Sequence, residues 1–231
     1  SGAVGFCGAG GSAVRISRAA LHAWEEPCIS GTRGSGTIFF SYCTLRCVYC
    51  QNLPVSRGIA GIEVEISRLA EIMLELEAQG AHNINLVTPT HYAVQILEAI
   101  EIARRRGLSL PIVYNTGGYE LSSAIERLRG AVDIFLTDYK YATNADALRY
   151  SGAADYIENA DAALAKMVEL APLSFSSDGL LRSGVIVRHL LLPGKLTAAK
   201  NVLKRIFTRY QNNIYCLLYT SPSPRDLSTS R

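Results

Sequence analysis

The stretch that most constrains this chain is Gly36–Asn52, GTIFFSYCTLRCVYCQN, in which Cys43, Cys47 and Cys50 follow the apolar run Thr37-Ile38-Phe39-Phe40. The spacing is C-x3-C-x2-C. Thiolates hold iron–sulfur clusters, and close spacing on one loop lets several sulfurs converge on one cubane. A four-iron cluster needs four ligands. Three local cysteines leave one iron open unless a distant cysteine closes it, and an open metal position can take a small molecule. A zinc knuckle and a four-cysteine electron-transfer cluster are the other readings of these thiols. Zinc sites usually draw their cysteines in two C-x2-C pairs, and this sequence has no second pair.

Composition narrows the classes further. At 231 residues the chain is long enough for one domain with a sizeable core, or one domain and a fragment, and its 48% apolar content is that of a globular chain. A formal net charge of +3 is too small to argue for nucleic acid. The one basic run, Arg104-Arg105-Arg106, closes an expected helix before Gly107, where cations complement the helix dipole. No uninterrupted apolar window of about 18 residues offers a membrane span. The first residues lack the charged segment and apolar core of a secretory signal. Six cysteines, three of them clustered, fit a reducing compartment better than a disulfide scaffold. A cytoplasmic protein is expected, with neither nucleic acid nor membrane as partner. The glycine run Gly8–Gly11 follows no strand and does not read as a phosphate loop.

Strand and helix signals alternate along the rest. Strands are expected at Thr37–Ser41, Asn83–Thr88, Pro111–Asn115, Val132–Thr137 and Gly184–Leu192. Helical periods fall at Ile66–Gln79, His91–Arg106, Leu121–Leu128, Ala154–Leu170 and Thr197–Tyr210. Ser1–Ser35 reads as loop, with a short helix placed only at Ala13–Trp24, and Ala171–Ser183 also reads as loop. Repeated strand–helix units imply an α/β fold on a parallel sheet, and such folds place their chemistry just past strand C-termini. Those positions hold Thr88, Thr90 and His91, then Asn115 and Thr116, then Asp138 and Lys140, whose D-x-K spacing puts both on one side. Alternation in the fifth strand sends one of Arg188 and His189 inward, and an inward charge must find a partner. His91 reads equally as a helix-start structural residue. Arg46 and Asn52 flank the cysteines and can donate to sulfur. Cys7 and Cys28, each alone, read as small buried hydrophobes.

With Tyr49 between Cys47 and Cys50, the motif becomes C-x3-C-x-aromatic-C, and the chain resembles the radical S-adenosylmethionine (SAM) superfamily. That resemblance implies an incomplete (β/α)6 TIM-like barrel, here truncated at both ends. Its parts are a loop-rich N-terminal extension over 1–35, the partial barrel over 36–215 and a non-native tail over 216–231. It implies that Cys43, Cys47 and Cys50 hold a 4Fe-4S cluster whose open iron chelates the amino and carboxylate groups of SAM, with Tyr49 against the adenine. One electron from the cluster then cleaves the sulfonium to a 5′-deoxyadenosyl radical that abstracts hydrogen.

Within the superfamily, VGFCGAG, ALHAWEEPCISG-x-RGSGTIFFS, LVTPTHY and RHLLLPG resemble a subgroup of pyruvate formate-lyase activating enzyme-like proteins with further cysteines upstream of Cys7. On that likeness the true start is missing and Cys7 is the remnant of an N-terminal metal or cluster site. The Gly-Gly-Glu element common in the superfamily is absent, so the backbone carbonyls of Thr88–Thr90 are left to accept from the SAM ammonium. Asn115 and Thr116 suit the ribose or the carboxylate. Asp138 and Lys140 resemble the D-x-K element that contacts SAM and a monovalent cation, and an inward Arg188 would pair with the SAM carboxylate or a substrate carbonyl. The implied partners are a flavodoxin- or ferredoxin-like electron donor and, as in the activators, a glycyl radical enzyme as protein substrate. The alternative is a non-catalytic iron–sulfur electron-transfer or structural metal protein, with Cys28 or Cys7 as fourth ligand.

The last residues, Cys216–Arg231 (CLLYTSPSPRDLSTSR), break the pattern. Cys216–Asp226 resembles the conceptual translation of a transposase-type sequencing adapter, and Leu227–Arg231 fits an index followed by a flowcell primer in the same frame. The other reading is a Ser/Pro-rich flexible tail. A foreign tail is expected to leave five barrel strands, Tyr215 as the last native residue, and Cys216 as no ligand.

Overall fold

The structure, a computed structural model, describes residues 5, 7–10 and 13–220. Gly11 of the glycine run and residues 221–231 of the expected tail lie outside the described residues. The chain runs β1 (Val14–His22), α1 (Pro27–Ser30), β2 (Ser35–Phe40), α2 (Leu53–Ser56), β3 (Ile62–Val64), α3 (Ile66–Ala78), β4 (Ile84–Val87), α4 (Ala93–Arg105), β5 (Ile112–Thr116), α5 (Ser122–Glu126), β6 (Ile134–Asp138), α6 (Asn144–Ser151), α7 (Tyr156–Leu170), β7 (Ser174–Phe175), β8 (Leu181–Leu191), α8 (Leu196–Tyr210) and β9 (Tyr215–Thr220). Among the described residues, no helix is long and apolar enough to cross a membrane.

A mostly parallel sheet carries the α/β architecture. β2, β4, β5, β6, β8 and β9 lie side by side in parallel register. Period-2 alternation divides the sheet's side chains between two faces. Ile38, Leu86, Tyr114, Phe135 and Val185 share one face and join the larger apolar core with the buried stripes of α3, α4 and α7. Val113, Ile134, Leu136 and Ile186 face the other way, onto Ile29 of α1. The polar residues of that second face, Asn85, Asn115, Asp138 and Arg188, are in register with this smaller apolar set.

The expected helix at Ala13–Trp24 and the expected loop at Ala171–Ser183 need correction. Ala13–Trp24 is no helix: Val14–His22 is a strand antiparallel to β2, and β3 pairs on its far side. Its helix formers (Arg18, Ala19, Ala20, Leu21) yield to pairing that satisfies the backbone edge of β2, since tertiary context overrides weak propensity. Between β6 and α7 lies α6, which the sequence reading passed over. The loop expected at Ala171–Ser183 contains β7 and the first residues of β8. β9 also crosses the expected 215/216 boundary, lying parallel on β8 from Ile186↔Tyr215 to Leu191↔Thr220. All but one of its residues are exposed, the exception being half-buried Leu217.

Candidate active site

The cysteine loop begins where β2 ends. Tyr42 takes φ 73, a left-handed conformation costly for a bulky residue, and so turns the chain sharply before Cys43. Three contacts hold that turn. The Tyr42 N–H donates to Val55 O at 2.9 Å, the Val48 N–H to Tyr150 O at 2.9 Å, and Leu45 is buried. His91, from the turn after β4, adds a fourth. Its Nε2 lies 2.8 Å from Ser41 O, which can only accept, so Nε2 carries the proton. Burial lowers its pKa and favours the neutral ring, against the opposing effect of that same bond. His91 thus positions the start of the cysteine loop.

Cys43, Cys47 and Cys50 are all half-buried and none is in a disulfide. Burial pushes the Cys43 thiol up to about 11, the Leu45 backbone N–H opposes it, and Cys47, Lys140 and Cys50 all lie within electrostatic reach. The Cys47 sulfur is 3.0 Å from Ser151 Oγ. Among the described residues, no three His, Cys, Asp or Glu side chains meet as they would on a single metal ion. A cubane asks for something else, because each thiolate binds its own iron and the sulfurs stand a cluster's width apart. Three neighbouring thiols beside a cation fit that group. Cys28 does not join them. It packs against the smaller apolar set beside Ile29, and its electrostatic neighbour is Glu26, whereas Cys43 is acted on by Cys47, Lys140 and Cys50. Cys7 packs against the larger core. Arg46 and Asn52 are exposed.

Lys140 joins this loop to a second cluster. Its ammonium pairs with Asp138 Oδ2, and Arg188 Nε donates to Asp138 Oδ1 at 3.0 Å. Arg188 Nη2 reaches Asn115 Oδ1 at 2.8 Å, and Nη1 faces Glu25 and Glu26 at 4.0 and 3.9 Å. Burial alone would raise the Asp138 carboxyl, but Lys140 and Arg188 outweigh it and hold it at about 2. Burial likewise opposes the Lys140 charge, and Asp138 followed by Cys47 more than restores it. Glu25 is raised by burial, which Arg188 only partly offsets. Side chains of Asp138, Lys140 and Arg188 are 23, 17 and 24% exposed, so the cluster is recessed yet open to a ligand.

Alternation decides which neighbours share this cluster. Arg188 points to it, while His189 points to the opposite face, its Nδ1 2.6 Å from Tyr139 O. Asn115 joins it and Thr116 does not. The hydroxyls of Thr116 and Thr90 both donate to buried Glu120 at 2.6 Å, which commits their protons to that carboxylate. Thr88 takes φ 59, strained for a β-branched residue, and its N–H donates to Asn115 O at 2.8 Å. Gly117 and Gly118 let the end of β5 come close: a Cβ on Gly117 would press on Leu45 and Lys140, and one on Gly118, at φ 80, would overlap the Asp138 carbonyl.

Four residues or pairs at the site escaped the sequence reading. Tyr156, fully buried, accepts from the Lys140 N–H at 2.9 Å and lies 3.2 Å from Gly117 O and Asp138 O, clamping two strand ends together. Tyr141 bonds Tyr49 at 2.7 Å and also Ser151. Glu25 and Glu26 enter from the loop before α1. The one local signal among these was the N-cap of α6, where Thr143 Oγ1 accepts from the Asp146 N–H at 3.2 Å.

A family model for the radical SAM superfamily matches residues 37–180. The chain is also similar to a Methanocaldococcus jannaschii protein, "Uncharacterized protein MJ0674", at 27% identity over 185 residues. The match covers 76% of this chain and 49% of that relative, so the chain spans about half the relative's length.

Proposed function

The chain belongs to the radical SAM superfamily, and on that premise we propose that it cleaves S-adenosylmethionine reductively at a 4Fe-4S cluster held by Cys43, Cys47 and Cys50. When bound, the cluster supplies the electron that breaks the sulfonium bond and releases a 5′-deoxyadenosyl radical for hydrogen abstraction. The observation that carries the proposal is Lys140, one cation within electrostatic reach of Cys43 and Cys47 and paired with Asp138.

The chain's own groups have separable tasks. Lys140 has three N–H donors and gives one to Asp138, so the others are available to a carboxylate as a compact charge. Asp138 and Asn115 present oxygens to a ribose. Asp138 also holds Arg188, which leaves Arg188 as a fixed element of the site wall. Tyr49, tethered through its hydroxyl to Tyr141, offers a ring in a set plane to a nucleobase. The Thr88–Thr90 carbonyls remain for an ammonium, since Thr90 uses its side chain on Glu120. A flavodoxin- or ferredoxin-like donor is the proposed source of electrons. On the likeness of Asp138 and Lys140 to the activator D-x-K element, the proposed substrate is a glycine backbone in a partner protein. The electrostatic partners of Cys43 are Cys47, Lys140 and Cys50 while that of Cys28 is Glu26, which favours this enzyme over the four-cysteine electron-transfer protein.

The test is anaerobic reconstitution with iron and sulfide followed by SAM and dithionite. Formation of 5′-deoxyadenosine and a SAM-dependent change in the reduced cluster's EPR spectrum are expected. A cluster indifferent to SAM, and lost in Cys28→Ala, would instead establish the electron-transfer reading.

A further inference from the structure

We infer that Tyr49, Tyr141 and Ser151 form a one-way hydroxyl chain that donates a hydrogen bond to the Cys47 sulfur and raises the reduction potential of the cluster it holds. The inference rests on the proposed cluster. Ser151 Oγ lies 3.0 Å from Cys47 Sγ, Tyr141 OH is bonded to Ser151 Oγ, and Tyr49 OH is 2.7 Å from Tyr141 OH. Each hydroxyl has a single proton to give, and a thiolate ligand has none. Ser151 must therefore donate to sulfur, its oxygen must accept from Tyr141, and Tyr141 must accept from Tyr49. No other order satisfies all three contacts.

The chain is fixed in place from both sides. Ser151 is the last residue of α6, and Gly152 behind it takes the left-handed cap at φ 71, its N–H bonded to Leu148 O at 3.0 Å. The same helix end anchors the cysteine loop through Tyr150 O and the Val48 N–H. Tyr150 stacks on Tyr141 with centroids 6.4 Å apart and meets Tyr49 edge-on at 6.5 Å. Tyr141 and Ser151 are 3 and 6% exposed, so water has little access to substitute for either hydroxyl.

A hydrogen bond to a ligand sulfur stabilises the reduced, more negative cluster over the oxidised one, and so raises its potential. Ser151 is then a positioning residue that acts through Cys47. The same chain ties the aromatic ring of the cysteine motif to the sulfur two residues before it.

The experiment is an EPR-monitored redox titration of the reconstituted 231-residue chain and its variants. Ser151→Ala should move the potential to more negative values. Tyr141→Phe, which keeps the last donor but removes the group polarising it, should move it the same way by less, and Ser151→Thr should restore it. Proton ENDOR in D2O should show an exchangeable proton at the cluster that Ser151→Ala removes. A wild-type potential in Ser151→Ala, or a shift in Ser151→Thr as large as in the alanine variant, overturns the inference and leaves the cluster assignment standing. Should Ser151→Ala fail to fold, an unchanged potential in Tyr141→Phe overturns it. A wild-type chain that takes up no four-iron cluster overturns both.

Discussion

The Cys47 sulfur takes a hydrogen bond from Ser151, and the loop carrying it is held by backbone bonds to Val55 and Tyr150. One residue cluster away, Asp138 gives one oxygen to Lys140 and the other to Arg188, and Arg188 extends to Asn115. In the first region the reactive side chains play little part in holding the structure. In the second, the side chains that would meet a ligand also neutralise one another. Substitution should therefore separate chemistry from stability at the cysteines and confound the two at the charges.

The largest expected effect falls on the cysteines. Cys43→Ala, Cys47→Ala or Cys50→Ala should each abolish the four-iron chromophore and 5′-deoxyadenosine formation. The thermal midpoint of the metal-free chain should hardly move, because none of these thiols is deep in the core. A large drop in Tm, measured by circular dichroism without metal, would break the contrast.

Next comes Asp138→Asn, which leaves Lys140 recessed without its counter-charge and Arg188 with only the more distant Glu25 and Glu26. Removing one partner of such a pair costs about 3–5 kcal/mol. A second change, Lys140→Met, should recover part of that loss. The pH dependence has a definite sign. Asp138 is depressed to about 2 from an ordinary value of 3.8, so its stabilisation is complete above pH 3.8 and is lost as pH falls through about 2. Urea midpoints for wild type should decline across that window, and those for Asp138→Asn should lack this component. Tyr156→Phe is a smaller version of the same test. It leaves the Lys140 N–H and two strand-end carbonyls without their hydroxyl, at a cost of about 1–3 kcal/mol.

What could be seen in the sequence follows the same division. Cys43, Cys47, Cys50, Asp138 and Lys140 lie close together along the chain or at strand ends, and spacing alone marks them. The central strands were legible because each is a short apolar run between turn residues. Glu25, Glu26, Tyr156 and Ser151 were not, because each reaches the site by packing distant elements together, and nothing local distinguishes a site tyrosine from a core one. Thr116 shows the limit of strand-end position: one step of alternation from Asn115 turns its hydroxyl to Glu120. β1 was hidden because its residues form helices well in isolation and become a strand only against the edge of β2.

The smallest effect should come from ending the chain after Tyr215, and it bears on whether 216–231 is foreign to the fold. β9 extends the parallel register of β8, yet most of its side chains are exposed, in contrast to Val185, Ile186 and Val187 on the strand it pairs with. Besides the parallel ladder to β8, the side-chain losses are half-buried Leu217, packed near Ile29, and the Tyr219 OH bond to Glu26 Oε2 at 2.5 Å. The side-chain share, partial burial of one leucine and one exchangeable hydrogen bond, amounts to about 1–2 kcal/mol. The freed backbone groups of β8 pass to water instead of being left buried and unpaired. Cluster loading should be unchanged and Tm only slightly lower, though the bared β8 edge will favour self-association at high concentration. Loss of folding on truncation would make β9 an integral sixth parallel strand. The expected boundary at residue 215 would then be wrong, and Tyr219 would be the group that holds Glu26 beside Arg188.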